Sequence, residues 1–193
     1  YCNNAAFHPS YSTAGKSLHQ QLDEGIEFHM VRYRTTEHYL AYFQSFSNTY
    51  APLERLKKLY EEALNHPSVV GLVIGTRPDC ISEEIADLIC EYKSRLDVWV
   101  ELGLQTESDS TAALINRGYK KEVFAEAVRL LKKYSVPVVA HMIIGLPGEG
   151  RADALKTAKR ALSGNRLSDG FNQLLAKNSL SLSLEALVID KRF

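Results

Sequence analysis

The feature that most constrains the fold is an apolar, β-branched run that empties into polar residues and glycine before a helix-like stretch, and the chain repeats it. Residues 136–144 (VPVVAHMII) lead into Gly145-Leu146-Pro147-Gly148-Glu149. Val98-Trp99-Val100-Glu101-Leu102-Gly103-Leu104 leads into Gln105 and Thr106. Val69-Val70-Gly71-Leu72-Val73-Ile74-Gly75 has no polar face at all, as a parallel strand covered on both sides requires. Strands that alternate with helices in this way form parallel sheets with right-handed crossovers. Such sheets and barrels carry their chemistry at the C-terminal ends of the strands.

Hydrophobic periodicity fills in the remaining units. It predicts a helix over 14–34, weakened by Gly25, and a short strand over 38–44 that ends in Gln44, Ser45, Ser47, Asn48 and Thr49. Pro52 opens a second helix and Pro67 closes it. Ser82 caps a third, with Glu83 and Glu84 in the first turn where the helix dipole favours acids. Strands follow over 97–104 and 136–144, with helices over 110–116, 121–134 and 152–162. A fifth strand is expected over 170–176. Beyond it Leu180, Leu182, Leu184 and Leu187 alternate with serines and then drift, leaving strand and helix both open. The alternation leaves an open doubly wound sheet or a full or partial barrel. No G-x-G-x-x-G follows the first strand and no G-x-x-x-x-G-K-[ST] occurs, so the common nucleotide-binding sheets lose their main support. Polar residues at the end of nearly every strand favour the barrel.

Composition excludes some classes. The 193 residues suit one domain, and 23 basic against 23 acidic residues give no global attraction to nucleic acid. A basic surface that includes Lys57, Lys58, Lys132 and Lys133 keeps RNA open as a partner. No apolar run has the length of a membrane span, and the segment beginning Tyr1-Cys2 lacks the pattern of a signal peptide. Three cysteines, Cys2, Cys80 and Cys90, are too few and too irregularly spaced for a disulfide framework or a zinc site, which fits a reducing, cytoplasmic setting. Cys90 reads as a small buried hydrophobe and Cys80 as a loop residue.

Among the strand-end residues, Glu101, Gly103 and Gln105 share one face of their strand, while Val98, Val100, Leu102 and Leu104 take the other. A carboxylate and an amide on an interior strand are costly unless they are paired or reach a ligand. The structural alternative is that Glu101 pairs with a nearby Arg or Lys. Gly103 leaves room for something to approach the backbone. Gly145, Pro147 and Gly148 form either a plain strand-to-helix turn or a backbone shelf for a flat ring or ribose. His141 lies within its strand and, alone, reads more readily as a core histidine than as a catalyst. Arg77 and Asp79 are placed to pair with each other, and Arg117 to hold an anion or cap a helix C-terminus.

The motifs Tyr1-Cys2-Asn3, Tyr42-Phe43-Gln44 with Asn48 to Pro52, Ile74 to Asp79, Glu101-Leu102-Gly103-Leu104-Gln105-Thr106, Asn116-Arg117-Gly118 and His141 to Glu149 occur in this order. Together they resemble the radical S-adenosylmethionine proteins, specifically a bacterial group similar to the radical domain of the Elongator catalytic subunit. The resemblance runs from residue 1 to about 160. It implies a partial (β/α) barrel of parallel strands, a 4Fe-4S cluster and S-adenosylmethionine as cofactors, and reductive cleavage to a 5′-deoxyadenosyl radical that acts on an unidentified substrate. It also implies an electron donor such as flavodoxin or ferredoxin. The other reading is a non-catalytic barrel that binds RNA or protein.

By the resemblance, Cys2 is the third of three cluster cysteines, and the first two would precede Tyr1. The chain then reads as a single core domain, 1–193, that lacks the first strand and most of the cluster loop, with an unassigned tail over 177–193. A single thiolate does not hold such a cluster. The edge of the strand around Leu40 is then expected to be covered by the chain's own N-terminal segment or by a second molecule. Gln44, Asn48, Glu101, Gln105, His141 and Gly145 are implied to bind the cofactor. Relative to the family, His141 replaces a glycine and one extra residue precedes Glu149.

Overall fold

The computed structural model describes residues 9–13, 15–32, 37–44, 46–163 and 185–189. Their elements run α1 (Leu18–Arg32), β1 (Tyr39–Phe43), α2 (Leu53–Leu64), β2 (Val69–Thr76), a 3-10 turn (Pro78–Cys80), α3 (Glu83–Lys93), β3 (Asp97–Gln105), α4 (Asp109–Leu114), α5 (Lys121–Lys133), β4 (Val138–Met142), α6 (Arg151–Ser163) and β5 (Glu185–Ile189). The first four expected strands and six helices are present, with ends shifted by a few residues. The expected strand at 170–176 lies outside the described residues. The tract left open after it contains β5.

All neighbouring strands are parallel, in the order β4-β3-β2-β1-β5. From β1 to β4 the order never reverses. Crossovers of one hand then place every connecting helix on the same face, which gives the arc of a barrel instead of a doubly wound sheet with its switch point. The packing agrees. Tyr39, Ala41, Phe43, Leu72, Ile74, Val98, Val100, Leu102, Leu104 and Val138 all face the helices and form one core with Leu56, Tyr60, Ile85, Ile89, Phe124 and Leu131. Tyr60 fills its centre, with its ring edge-on to Phe43 and Tyr92.

The opposite, concave face takes the alternate residues. Register puts Leu40, Gly71 and Asp97 on one level, Tyr42, Val73 and Trp99 on the next, and Gly75, Glu101 and Val139 above them. Gly103 pairs with His141 one level higher. Gly71 is required where it stands, because a Cβ there would lie 2.0 Å from the Asp97 carbonyl oxygen.

The outer edge of β1 is paired by β5 over Tyr39–Phe43. The expectation that an N-terminal segment or a second molecule covers this edge is therefore corrected: a later strand of the same chain adds in parallel and satisfies its backbone groups. No helix among the described residues is long and apolar enough to cross a membrane.

Candidate functional site

The concave face gathers its polar groups around Glu101. Its Oε2 accepts from the Tyr42 hydroxyl and from His141 Nε2 at 2.8 Å, and its Oε1 from Trp99 Nε1 at 3.4 Å. Tyr42 reaches it from two strands away, about 9.5 Å at ordinary strand spacing. The register partner of Glu101 on the intervening strand is Gly75, so no side chain stands at that position. Among the described residues the carboxylate is thus answered by a histidine, a tyrosine and a tryptophan, with neither Arg nor Lys taking part.

These contacts set the protonation states. Burial works to raise the Glu101 pKa, but hydrogen bonds from His141 and Tyr42 outweigh it and hold the carboxyl below its ordinary value. The hydrogen bond to Glu101 raises His141 above an ordinary histidine, against partial burial. Tyr42 is pushed well up by burial and by the adjacent carboxylate, so it stays a neutral donor. The result is a carboxylate–histidine pair in which each partner favours the charged form of the other, on an otherwise largely uncharged face.

The C-terminal end of β3 is shaped next to this cluster. Gln105 has φ +61°, a left-handed conformation unusual for a residue with a side chain. A register shift between Gly103 and Gln105 accompanies it, and the Gln105 carbonyl accepts from Ile143 N at 2.9 Å. The Gln105 side chain folds back over Gly103: a Cβ at 103 would lie 2.5 Å from Gln105 Nε2 and 3.1 Å from the Tyr119 hydroxyl. Tyr119 in turn donates to the Gly103 carbonyl at 2.7 Å.

Arg117 holds this end in place. Its guanidinium donates to the Leu104 and Thr106 carbonyls, both at 2.7 Å, to the Tyr119 carbonyl at 2.9 Å and to Asp109 at 3.1 Å. Its side chain is 2% exposed. The residue read as an anion holder or helix cap is instead an internal clamp on β3. The guanidiniums of Arg117 (5.0 Å) and Arg77 (5.3 Å) both lie over the Tyr119 ring. Arg77 also makes a two-pronged pair with Asp79, as expected. Glu107 receives both prongs of Arg160, which ties α6 to the rim, and Thr106 donates to Glu149.

The other expected residues are distributed around this centre. Asn48 is 1% exposed, and its amide donates to the Phe43 and Gly75 carbonyls, both at 2.7 Å, so it bridges the ends of β1 and β2 inside the wall. Gln44 is exposed just past β1. Gly145 (φ +86°) and Gly148 (φ +79°) adopt left-handed conformations that glycine takes without strain. Glu149 N donates to the Leu146 carbonyl, closing a turn whose Pro-Gly centre suits type II geometry. The space around Gly145 is open.

Tyr42, Trp99 and Tyr119 are the participants that sequence reasoning passed over. Trp99 carried a signal, since it lies two residues before Glu101 on one strand. Tyr42 and Tyr119 required the strand register and the fold of the 117–119 turn.

The residues fit the two implied cofactor groups unequally. Acceptors on Glu101 and Gln105, a donor on His141, the missing side chain at Gly75, and an open glycine rim suit the hydroxyls and ring of a nucleoside ligand. Among the described residues no three metal-binding side chains come together. Cys80 is in the 3-10 turn after β2, Cys90 packs from α3 against the core, and Cys2 lies outside the described residues.

The profile of the radical SAM superfamily matches residues 1–161. The chain is similar to protein YhcC of Escherichia coli (strain K12), with 37% identity over 163 residues, covering 84% of this chain and 51% of the relative. It is also similar to protein YtqA of Bacillus subtilis (strain 168), with 43% identity over 138 residues, covering 69% and 43%. The chain thus spans about half the length of these relatives. In fold it resembles the archaeal Methanocaldococcus infernus Elp3, with a TM-score of 0.61 at 22% identity over 72% of this chain and 37% of that one. It also resembles the Escherichia coli coproporphyrinogen III oxidase HemN, a radical SAM enzyme, with a TM-score of 0.52 at 17% identity over 82% and 38%.

Proposed function

This chain belongs to the radical SAM superfamily, whose members use a 4Fe-4S cluster and S-adenosylmethionine, and we propose that the whole protein is a radical SAM enzyme with its cofactor on the concave face described above. The observation that carries this reading is the grouping of Glu101, Gln105 and His141 on that face, beside Gly75, which carries no side chain. When bound, S-adenosylmethionine cleaved by one electron from the cluster supplies a 5′-deoxyadenosyl radical that abstracts hydrogen from a substrate.

The chain's own residues have definite parts in this reading. Glu101 and Gln105 offer acceptors and an amide to the ligand, and His141 offers a donor. Gly145 leaves space at the rim, with exposed Gln44 at the end of β1. Asn48 holds β1 and β2 together below them, and Arg117 keeps the end of β3 in its shape. Cys2 is the cluster ligand that this sequence contributes. The electron comes from a donor of the flavodoxin or ferredoxin kind, in the cytoplasm.

The test is anaerobic reconstitution of the whole protein, followed by reduction in the presence of S-adenosylmethionine. Formation of 5′-deoxyadenosine is expected. A fully reconstituted cluster that yields none would refute the reading and favour a non-catalytic barrel that binds RNA or protein.

A further inference from the structure

The cavities, charged clusters and exposed apolar residues outside the concave face lead to no ligand of defined chemistry, whereas the face itself contains a group whose chemistry can be taken further. His141 stands opposite Gly103 in the sheet register, so no β3 side chain is rooted beside it. Its Nε2 is held by Glu101 at 2.8 Å, and its side chain is still 49% exposed. Among the described residues Nδ1 has no protein partner. The ring is therefore oriented through one nitrogen and offers the other to the open face.

We infer that His141 is a proton-linked contact for the ligand of the concave face, with its Nδ1–H donating to an acceptor atom of that ligand while Glu101 acts as the positioning residue. The inference rests on the proposal that this face binds S-adenosylmethionine. The ligand chemistry is an acceptor without a proton of its own, such as a purine ring nitrogen or a carboxylate.

The proton balance is simple. In the imidazolium, Nε2–H donates to Glu101 and Nδ1–H to the ligand. Loss of one proton leaves Nε2–H on Glu101 and a bare lone pair on Nδ1, which faces the ligand acceptor and repels it. The ionisable groups that face the ring among the described residues are Glu101 and, through it, Tyr42. Glu101 favours the charged form of the ring, and neutral Tyr42 does not compete for the proton. A bound acceptor stabilises the imidazolium further, so binding takes up a proton at pH values above the free histidine's midpoint. Affinity then falls as pH rises through that midpoint, by at most about tenfold per unit for one linked proton.

The chain has one tryptophan, and it shares Glu101 with His141. Trp99 fluorescence, taken as the difference between the protein and its Trp99→Phe variant, therefore reports on this cluster. The experiment titrates S-adenosylmethionine into the reconstituted whole protein, with Trp99 as the signal, across a pH series. It is repeated for His141→Gln and Glu101→Gln, with circular dichroism to establish folding, and calorimetry in two buffers of different ionisation heat counts the protons taken up. The inference expects a wild-type Kd that climbs with pH past a midpoint above that of ordinary histidine. It expects a flat profile without proton uptake in His141→Gln and a midpoint moved to lower pH in Glu101→Gln. A wild-type Kd independent of pH, or the same slope in His141→Gln, overturns the inference and leaves the cofactor site standing. Absence of any Trp99 response to the cofactor in a protein that binds it overturns both.

Discussion

Arg117 offers the sharpest test of how the rim is built. Its guanidinium serves three carbonyls and one carboxylate with almost no contact with solvent. Replacement by methionine keeps much of the side-chain bulk and removes every donor. Asp109 retains Lys121, whose backbone N–H lies at 3.1 Å and whose ammonium lies at 3.6 Å, so its loss is small. The Leu104 carbonyl keeps the Thr106 N–H at 2.7 Å, so the acceptor that most nearly loses its partner is the Thr106 carbonyl, and a buried acceptor left without one costs about 1–3 kcal/mol. Adding the weakened Leu104 carbonyl, the Tyr119 carbonyl and the stacking on the Tyr119 ring gives a total of roughly 2–4 kcal/mol. Against a typical total stability of about 5–15 kcal/mol this is a large fraction. Arg117→Lys keeps the charge but lacks the planar fork, so it should recover only about half of the loss. Urea unfolding followed by Trp99 fluorescence and circular dichroism gives both values, provided the slope of each transition is unchanged. A loss below about 1 kcal/mol for Arg117→Met, or a lysine variant equal to the wild type, would refute the argument that geometry and not charge alone holds this end of β3.

Three further outcomes follow from the same geometry. The lowered Glu101 pKa contributes stability above its ordinary 4.5 that is lost as pH falls through the folded value, and the raised His141 pKa contributes below 6.5 and is lost as pH rises through the folded value. The pair should therefore stabilise most between about pH 4.5 and 6.5, and urea midpoints against pH should flatten in Glu101→Gln; an unchanged profile contradicts the pairing. Gly148→Ala meets no atom within 4 Å yet must hold φ +79°, so it should lower stability by about 1–2 kcal/mol while Gly148→Asn costs less; equal values would show that the turn relaxes. Gly71→Ala drives a Cβ into the Asp97 carbonyl and should cost at least about 1–3 kcal/mol, with a clear fall in melting temperature; a neutral substitution would show that β2 and β3 separate easily.

The parallel sheet was legible because each of its first four strands is a short apolar run closed by punctuation, and period-two alternation on 97–105 correctly separated the core face from the Glu101 face. Ser82 and Pro52 marked helix starts for local reasons that tertiary structure had no cause to override. The site was legible only in outline. Glu101 was identifiable as a costly buried acid, but its partners lie on β1 and β4, and nothing in a linear reading aligns Tyr42 with a carboxylate across an intervening glycine. Arg117 was misread because an arginine beside a glycine looks like a surface cap, whereas its carbonyl partners become visible only when the end of β3 turns back. The left-handed Gln105 had no sequence signal, since glutamine is not a residue that normally marks such a turn. The serine-interrupted leucines near the end match neither period cleanly, and β5 was identified only by the edge it pairs with.

That pairing has a consequence for the order in which the molecule is made. β1 joins β2, β2 joins β3 and β3 joins β4 across one or two intervening helices each, and all of these partners are available soon after they leave the ribosome. β5 closes the opposite edge of β1 and is synthesised after every other element described. Among the described strands, the outer N–H and C=O groups of Tyr39–Phe43 wait for a partner at the greatest sequence separation in the sheet, the kind of contact that forms slowest. For that interval the nascent chain presents an apolar parallel edge to its neighbours on the same message, and crowded translation is the condition under which this edge would first pair with the wrong copy.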